Sequence, residues 1–238
     1  MKLSTPAVLF DFDGVLVDST PAVIRNWDAF AARHGYGPGD AILHEHGRRA
    51  REKIQAFRDE HRLDFSVDDE TEWFNQLEIA KAAELIVFPG ATQLLEAIPR
   101  GRWAIYTACT RHLVLARLQA AGLPIPEVVI SADDVVRGKP DPEGYITAAR
   151  QLGVEPRSCV IVEDAPAGIT AGHQTGAKVI AVATTHAPAE LAHADIVVPE
   201  LAALRYPWRR PLSPSRRLMG GHEPVGFGVR QGIGCERE

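Results

Sequence analysis

Two aspartates two positions apart are the first residues in this chain whose types and spacing could do chemistry. Asp11 and Asp13 stand in Phe10-Asp11-Phe12-Asp13-Gly14-Val15, at the end of the apolar run Ala7 to Phe12, which reads as a buried strand. Side chains on a strand alternate faces, so both carboxylates point the same way, past the strand's carboxyl end, where open α/β sheets bind ligands. Adjacent carboxylates repel unless they share a proton or hold a hard cation such as Mg2+. An aspartate pair that caps a turn is the plainer alternative for this motif taken alone.

Three further stretches repeat the pattern of polar residues at strand ends. Val162-Glu163-Asp164-Ala165 places a second carboxylate pair before the small-residue loop Pro166-Ala167-Gly168 and supplies the oxygen ligands that a six-coordinate Mg2+ needs, although Asp164 also suits an acidic helix N-cap. In Arg137-Gly138-Lys139-Pro140-Asp141-Pro142 a lysine is held in a rigid turn ahead of a helix, and a fixed ammonium near four carboxylates suits a phosphoryl group. Ile105-Tyr106-Thr107-Ala108-Cys109-Thr110 ends a strand on a hydroxyl, followed by small residues whose backbone N–H groups can face an anion at a helix start.

The elements that must position these groups follow from periodicity. Ala7 to Phe12, Trp103 to Thr107, Val128 to Ser131, Val160 to Glu163, Val179 to Ala183 and Ile196 to Val198 read as buried strands. Helical spacing in Ala91 to Ile98, His112 to Ala121, Pro142 to Leu152, Ala165 to Thr175 and Pro188 to Ala192 separates them, which predicts α/β architecture with a mostly parallel sheet. Between Val17 and Phe88 the rhythm breaks. Pro21 to His34, Gly47 to Glu60 and Asp68 to Leu85 read as helices of an inserted domain, with Trp27, Trp73 and Phe74 as its core. The expected division is a sheet domain over 1–17 and 89–204, a helical domain over 18–88, and an irregular, disordered tail over 205–238.

Together, in this order and at strand ends, the four motifs resemble those of the haloacid dehalogenase-like superfamily of aspartyl phosphohydrolases, over residues 7 to 204. Within it the likeness is to sugar-phosphate and polyol-phosphate phosphatases, the group containing glycerol-phosphate and 2-deoxyglucose-6-phosphate phosphatases. It rests on His46-Gly47-Arg48-Arg49, Gly138-Lys139-Pro140-Asp141-Pro142-Glu143, Glu163-Asp164-Ala165-Pro166-Ala167-Gly168 and Ala183-Thr184-Thr185-His186. The resemblance implies a Rossmann-like core with flanking helices, an inserted α-helical cap that selects the leaving group, and Mg2+-dependent hydrolysis of small phosphate monoesters. It makes Asp11 the nucleophile and Asp13 the acid and then the base, with Asp13 also a metal ligand through its backbone carbonyl. Thr107, Lys139 and the backbone N–H of Ala108 would hold phosphoryl oxygens, while Asp164, supported by Glu163, completes the metal site with Asp11. Such a division makes physical sense, because Mg2+ and Lys139 offset the repulsion between a carboxylate nucleophile and an anionic ester. Two positions depart from the family's commonest pattern: Val15 replaces a frequent threonine and Ala108 a frequent serine, and activity is expected to survive both.

In the cap, His46 and Arg49 align with the family's H-G-x-R and are candidates for binding substrate hydroxyls or phosphate; a capped helix start with solvated charges is the rival reading. His186 is expected to shape its loop, and Cys109 to pack as a small residue, since nothing pairs with it as a base. A mutase of the β-phosphoglucomutase type shares the core motifs but carries a cap histidine where this chain has Val23. A dehalogenase lacks the second aspartate, and a phosphonatase needs a motif-one alanine absent here. A catalytically silent binding module of the same fold is disfavoured by four intact motifs.

Charge narrows the partners. With 26 basic and 31 acidic residues the formal charge is −5, divided as −9 over 1–204 and +4 over 205–238. The acidic body has no basic stretch of the kind that binds nucleic acid. No apolar run reaches the ~20 residues that span a bilayer. Cys109, Cys159 and Cys235 are an odd, scattered set that suits a reducing compartment, so a cytoplasmic monomer acting on a small phosphorylated sugar or polyol is expected.

Overall fold

Runs of branched apolar residues, buried on both faces, form a parallel sheet whose strand ends all point one way. In a computed structural model that describes residues 2–41, 49–205 and 225–229, β1 (Lys2–Thr5) precedes β2 (Val8–Phe10). A ribbon of β3 (Val17–Asp18) and β4 (Ile86–Val87), antiparallel with Val17 opposite Val87, brackets α1 (Thr20–Arg33), α2 (Ala50–His61) and α3 (Val67–Ala80). The chain then runs through α4 (Ala91–Ala97), β5 (Trp103–Tyr106), α5 (Arg111–Ala120), β6 (Val128–Ile130), α6 (Glu143–Gln151), β7 (Val160–Glu163), α7 (Pro166–Gln174), β8 (Lys178–Val182) and β9 (Ile196–Val198).

The main sheet has the order β6-β5-β2-β7-β8-β9, every pair parallel. From β2 the chain builds outward to β5 and β6, then crosses back to place β7 on the other side of β2. That reversal is the topological switch at which such sheets bind ligands. Register sets three of the four motifs abreast, because Phe10 is level with both Ile105 and Val162.

Alternation along β2 divides the core. Val8 and Phe10 face a layer with Leu94, Leu95, Val114 and Leu118, while Leu9 faces the opposite layer with Tyr145, Ala148 and Ile169. The three inserted helices close on their own apolar cluster of Trp27, Phe30, Ile54, Phe57 and Phe74, with Trp73 only partly buried at its edge. Among the described residues no helix is long and apolar enough to cross a membrane.

Two segments differ from the sequence expectation. Pro188 to Ala192 is not a helix but a succession of turns, with Glu190 N bonded to the Ala187 carbonyl at 2.9 Å and Ala194 N to the Leu191 carbonyl at 2.9 Å. Five residues beginning at proline are too few to offset helix nucleation. In the tail, expected to be irregular, Val225–Val229 forms β11 between β1 and β10 (Leu204–Arg205), antiparallel to both. The strand is held by backbone hydrogen bonds to partners far away in sequence, which composition alone does not register. The rest of the tail lies outside the described residues.

Candidate active site

Adjacency of β2 and β7 brings the acidic motifs together. Asp11 N bonds to the Val162 carbonyl at 2.9 Å, so Asp11 emerges beside Glu163. One oxygen each from Asp11, Glu163 and Asp164, all buried, lie within 4.8 Å of one another. Glu163 is fixed from three directions: the Tyr145 hydroxyl donates to Oε1 at 2.6 Å, Lys139 Nζ stands 2.6 Å from the same oxygen, and the Asp164 amide donates to Oε2 at 3.1 Å. Lys139 also reaches Asp11 Oδ2 at 2.9 Å, while the Phe12 amide donates to Asp11 Oδ1 at 2.7 Å. The Thr185 hydroxyl donates to Asp164 Oδ2.

A single ammonium cannot balance three buried carboxylates, and the electrostatics show it. Burial raises Asp11 to about 7 against the pull of Lys139, with Glu163 pushing the same way as burial. Burial, then the charges of Asp11 and Glu163, hold Asp164 well above the usual carboxylate range. Burial disfavours the Lys139 charge too, but Asp11 and Glu163 overcome this and raise its pKa. Such a set of hard oxygen donors with surplus negative charge fits a divalent cation such as Mg2+. Two glycines make the cluster possible: a Cβ on Gly168 would lie 1.9 Å from Glu163 Oε1, and one on Gly14, whose φ is +81°, 2.0 Å from Asp164 Oδ2.

The loop that presents Lys139 is gripped from its own helix and from the helical insert. Both oxygens of Glu143 accept from backbone amides, Val136 at 3.0 Å and Arg137 at 2.9 Å. From the cap, Arg49 Nη2 donates to the Val135 carbonyl at 2.8 Å and Nη1 to that of Val136 at 3.2 Å, leaving Nε buried without a hydrogen-bond partner among the described residues. Thr107, buried after β5, accepts from the Cys109 amide at 3.1 Å and so shapes the turn that holds Ala108.

Asp13 departs from the simple picture of an interacting aspartate pair. Its carboxylate lies outside the Asp11–Glu163–Asp164 group and has its own partners. Ser19 donates to Oδ1 at 2.6 Å, Arg117 Nη1 to Oδ1 at 2.8 Å, and the Cys109 thiol to Oδ2 at 3.0 Å. Beyond Phe10 the chain leaves strand geometry and turns through Gly14, so the two side chains share a cavity without sharing a partner. Cys109 does meet a carboxylate, yet burial and then the Asp13 charge push its thiol far up, which makes it a neutral donor rather than a nucleophile.

A cavity of about 270 Å3 opens between the two helical and sheet layers, lined by Asp11, Asp13, Asp164 and Ala108 from below and by Arg49 and Glu78 from the cap. Glu163, Lys139 and Thr107 stand outside that lining. Of the candidate site residues the structure brings Asp11, Asp13, Asp164, Ala108 and Arg49 to one cavity, while His46 lies outside the described residues. His186 Nδ1 is 2.9 Å from Thr185 Oγ1 and 3.1 Å from the Asp164 carbonyl, as a loop-shaping residue should be. Sequence reasoning missed Ser19, Glu78, Arg117, Tyr145 and the hydroxyl of Thr185. Only Thr185, inside a quoted motif, carried a signal.

Comparison with known proteins agrees with this geometry. The model of the haloacid dehalogenase-like hydrolases matches residues 5–176. Hexitol phosphatase A of Escherichia coli is 41% identical over 201 residues, covering 81% of this chain and 90% of that protein. Glycerol-1-phosphate phosphohydrolase 2 of Saccharomyces cerevisiae is 34% identical over 200 residues, covering 78% and 77%. Among solved structures, CbbY of Rhodobacter sphaeroides in complex with phosphate superposes with a TM-score of 0.71 at 25% identity, covering 83% of this chain and 95% of that one. With the four motifs meeting at one sheet edge beneath a helical insert, the chain belongs to the haloacid dehalogenase-like hydrolases.

Proposed function

We propose that this protein is a Mg2+-dependent phosphatase of small sugar or polyol phosphate monoesters that works through a phospho-aspartyl intermediate on Asp11. The observation that carries the reading is that Asp11 and Asp13 face one cavity with separate cations behind them, Lys139 for the first and Arg117 for the second. A nucleophile and an acid need that separation, since their protonation states must differ at the same moment.

In the first half-reaction an Asp11 oxygen attacks phosphorus as the ester P–O bond breaks, and Asp13 in its protonated form gives its proton to the leaving alkoxide. In the second, a water loses a proton to Asp13 and attacks the acyl phosphate, releasing phosphate and restoring the Asp11 carboxylate. Ester and water give alcohol and phosphate. Lys139 offsets the charge of the nucleophile and of the arriving ester, and Thr107 sets the Ala108 turn that lines the cavity. Asp11 and Asp164, with Glu163 behind them, would hold Mg2+, which when bound supplies positive charge against phosphoryl oxygens.

The leaving group would lie against the cap. Thr71 and Asn75, one turn apart on α3, line the cavity and offer polar groups to substrate hydroxyls. The orphan Nε of Arg49 adds a donor for an anionic oxygen. Val23 lines the same cavity, which puts an apolar side chain where the mutase reading needs an imidazole. A reducing cytoplasm suits the free thiols of Cys109 and Cys159.

Phosphate release should be screened over glycerol phosphates, hexitol phosphates and hexose phosphates with Mg2+ or chelator. Asp11→Asn is expected to lower turnover more than about 1000-fold. Equal turnover before and after that change would sink the phospho-aspartyl reading, and undiminished turnover in chelator the metal assignment.

A further inference from the structure

Arg117 is the most deeply buried arginine among the described residues, 3% exposed, and it joins two carboxylates from different domains. It rises from α5 on the sheet domain. Nη1 lies 2.8 Å from Asp13 Oδ1 and Nη2 3.3 Å from Glu78 Oε1 on cap helix α3, and Glu78 is itself buried. A buried ion triad is a poor device for stability alone. Burying a guanidinium between carboxylates forfeits the hydration of all three ions, and apolar replacements of such triads are often neutral or stabilising. All three members are within reach of the cavity, and one of them is the acid and base of the proposed reaction.

We propose that Arg117 is a positioning residue that aims the Asp13 carboxylate at the leaving oxygen, and that Glu78 makes this aim depend on the cap being seated. The inference rests on the phosphatase reading above. Asp13 Oδ1 is pinned by Ser19 and Arg117 together, which leaves Oδ2, held among the described residues by the weak thiol donor of Cys109 alone, as the oxygen that exchanges a proton. A planar guanidinium spanning two carboxylates fixes orientation in a way a lysine cannot, because its two N–H groups diverge at a set angle. Without Glu78 the Nη2 side of the guanidinium loses its anchor, and Arg117 is left with the Nη1 contacts to Asp13 at 2.8 Å and to the Cys109 sulfur at 3.3 Å, about which it can swing and carry Asp13 Oδ1 with it.

Leaving groups separate positioning from mere support. An alkoxide departs only with a proton from Asp13, whereas p-nitrophenolate departs without one. For Arg117→Met, kcat/KM on a polyol phosphate is expected to fall about 100-fold, the size of a general-acid contribution, and on p-nitrophenyl phosphate less than about 5-fold. Glu78→Gln should shift the same ratio in the same direction by a smaller factor, and it carries the test if Arg117→Met does not fold. Arg117→Lys, which keeps the charge but not the fork, should recover only part of the polyol-phosphate rate. Equal losses on the two esters, or full rescue by lysine, would overturn the positioning role while leaving the phosphatase reading intact. A wild-type protein that hydrolyses neither ester would end both.

Discussion

Lys139 Nζ stands 2.9 Å from Asp11 Oδ2 and 2.6 Å from Glu163 Oε1, so among the described residues the one assigned to nucleophilic attack is paired with the cation that serves the acidic cluster. The pair is the hinge of the site's electrostatics. Lys139→Met keeps the stem and removes the charge, leaving three buried carboxylates with no ammonium among them. Breaking a buried ion pair in this way costs about 3–5 kcal/mol, and the variant should unfold at lower urea concentration. In Mg2+ the fold should partly recover while kcat/KM stays depressed by about 100-fold or more, since the metal can replace the charge among the carboxylates but not the ammonium that meets the arriving ester. Wild-type kcat/KM in Lys139→Met would show that the ammonium serves folding alone.

Metal and pH should be linked in stability. Burial raises Asp11 to about 7 and Glu78 to about 7, both from ordinary carboxylate values. Between the unfolded and folded pKa values the native state binds more protons than the unfolded one, so stability falls as pH rises through that window. Thermal unfolding in chelator should therefore show Tm declining from about pH 5 to about pH 8. A cation bound among the carboxylates favours their charged forms, so Mg2+ should raise Tm more at the upper end of the range than at the lower. A metal-induced rise in Tm that is the same at both ends would contradict the assignment of the ion to this cluster.

Gly168 tests how tightly Glu163 must be held. In helix α7 an alanine should gain about 1 kcal/mol in helix propensity over glycine. Here its Cβ would stand 1.9 Å from Glu163 Oε1, an oxygen already committed to Tyr145 and Lys139. Gly168→Ala is therefore expected to destabilise by about 2 kcal/mol or more despite the propensity gain, through a displaced and poorly paired buried carboxylate. Urea unfolding reads the sign directly. A net stabilisation would mean that Glu163 can move aside cheaply.

What the sequence disclosed and what it hid follow one physical division. The six main strands are legible because a strand buried on both faces must be apolar throughout, and the motifs are legible because polar residues that end such strands, as Asp11 and Asp164 do, have no packing reason to be there. Arg117 was illegible. On helix α5 it reads as an ordinary solvated charge, and only the meeting of α3 with α5 buries it between Asp13 and Glu78. Tyr145 reads as a core aromatic, and its bond to Glu163 exists because α6 packs across the ends of the strands. The strand Val225–Val229 failed for a different reason: its glycines argue against a strand locally, and its pairing with Lys2–Thr5 spans nearly the whole chain.

Gly138 and Arg49 give the sharpest test of how the cap meets the catalytic loop. Arg49 holds the carbonyls of Val135 and Val136, and a Cβ on Gly138 would lie 2.9 Å from its Nε. In Gly138→Ala the guanidinium must shift, which loosens the cap's grip on the loop that presents Lys139. The expected result is a KM raised about 10-fold with a smaller change in kcat, because substrate enclosure suffers before the chemistry does. Arg49→Ala should have an effect of similar size. If the two residues act through this one contact, the double variant should be no worse than Arg49→Ala alone, a coupling that a mutant cycle measures. Additive losses would place the effect of Gly138 elsewhere, in the conformation of the Lys139 loop itself.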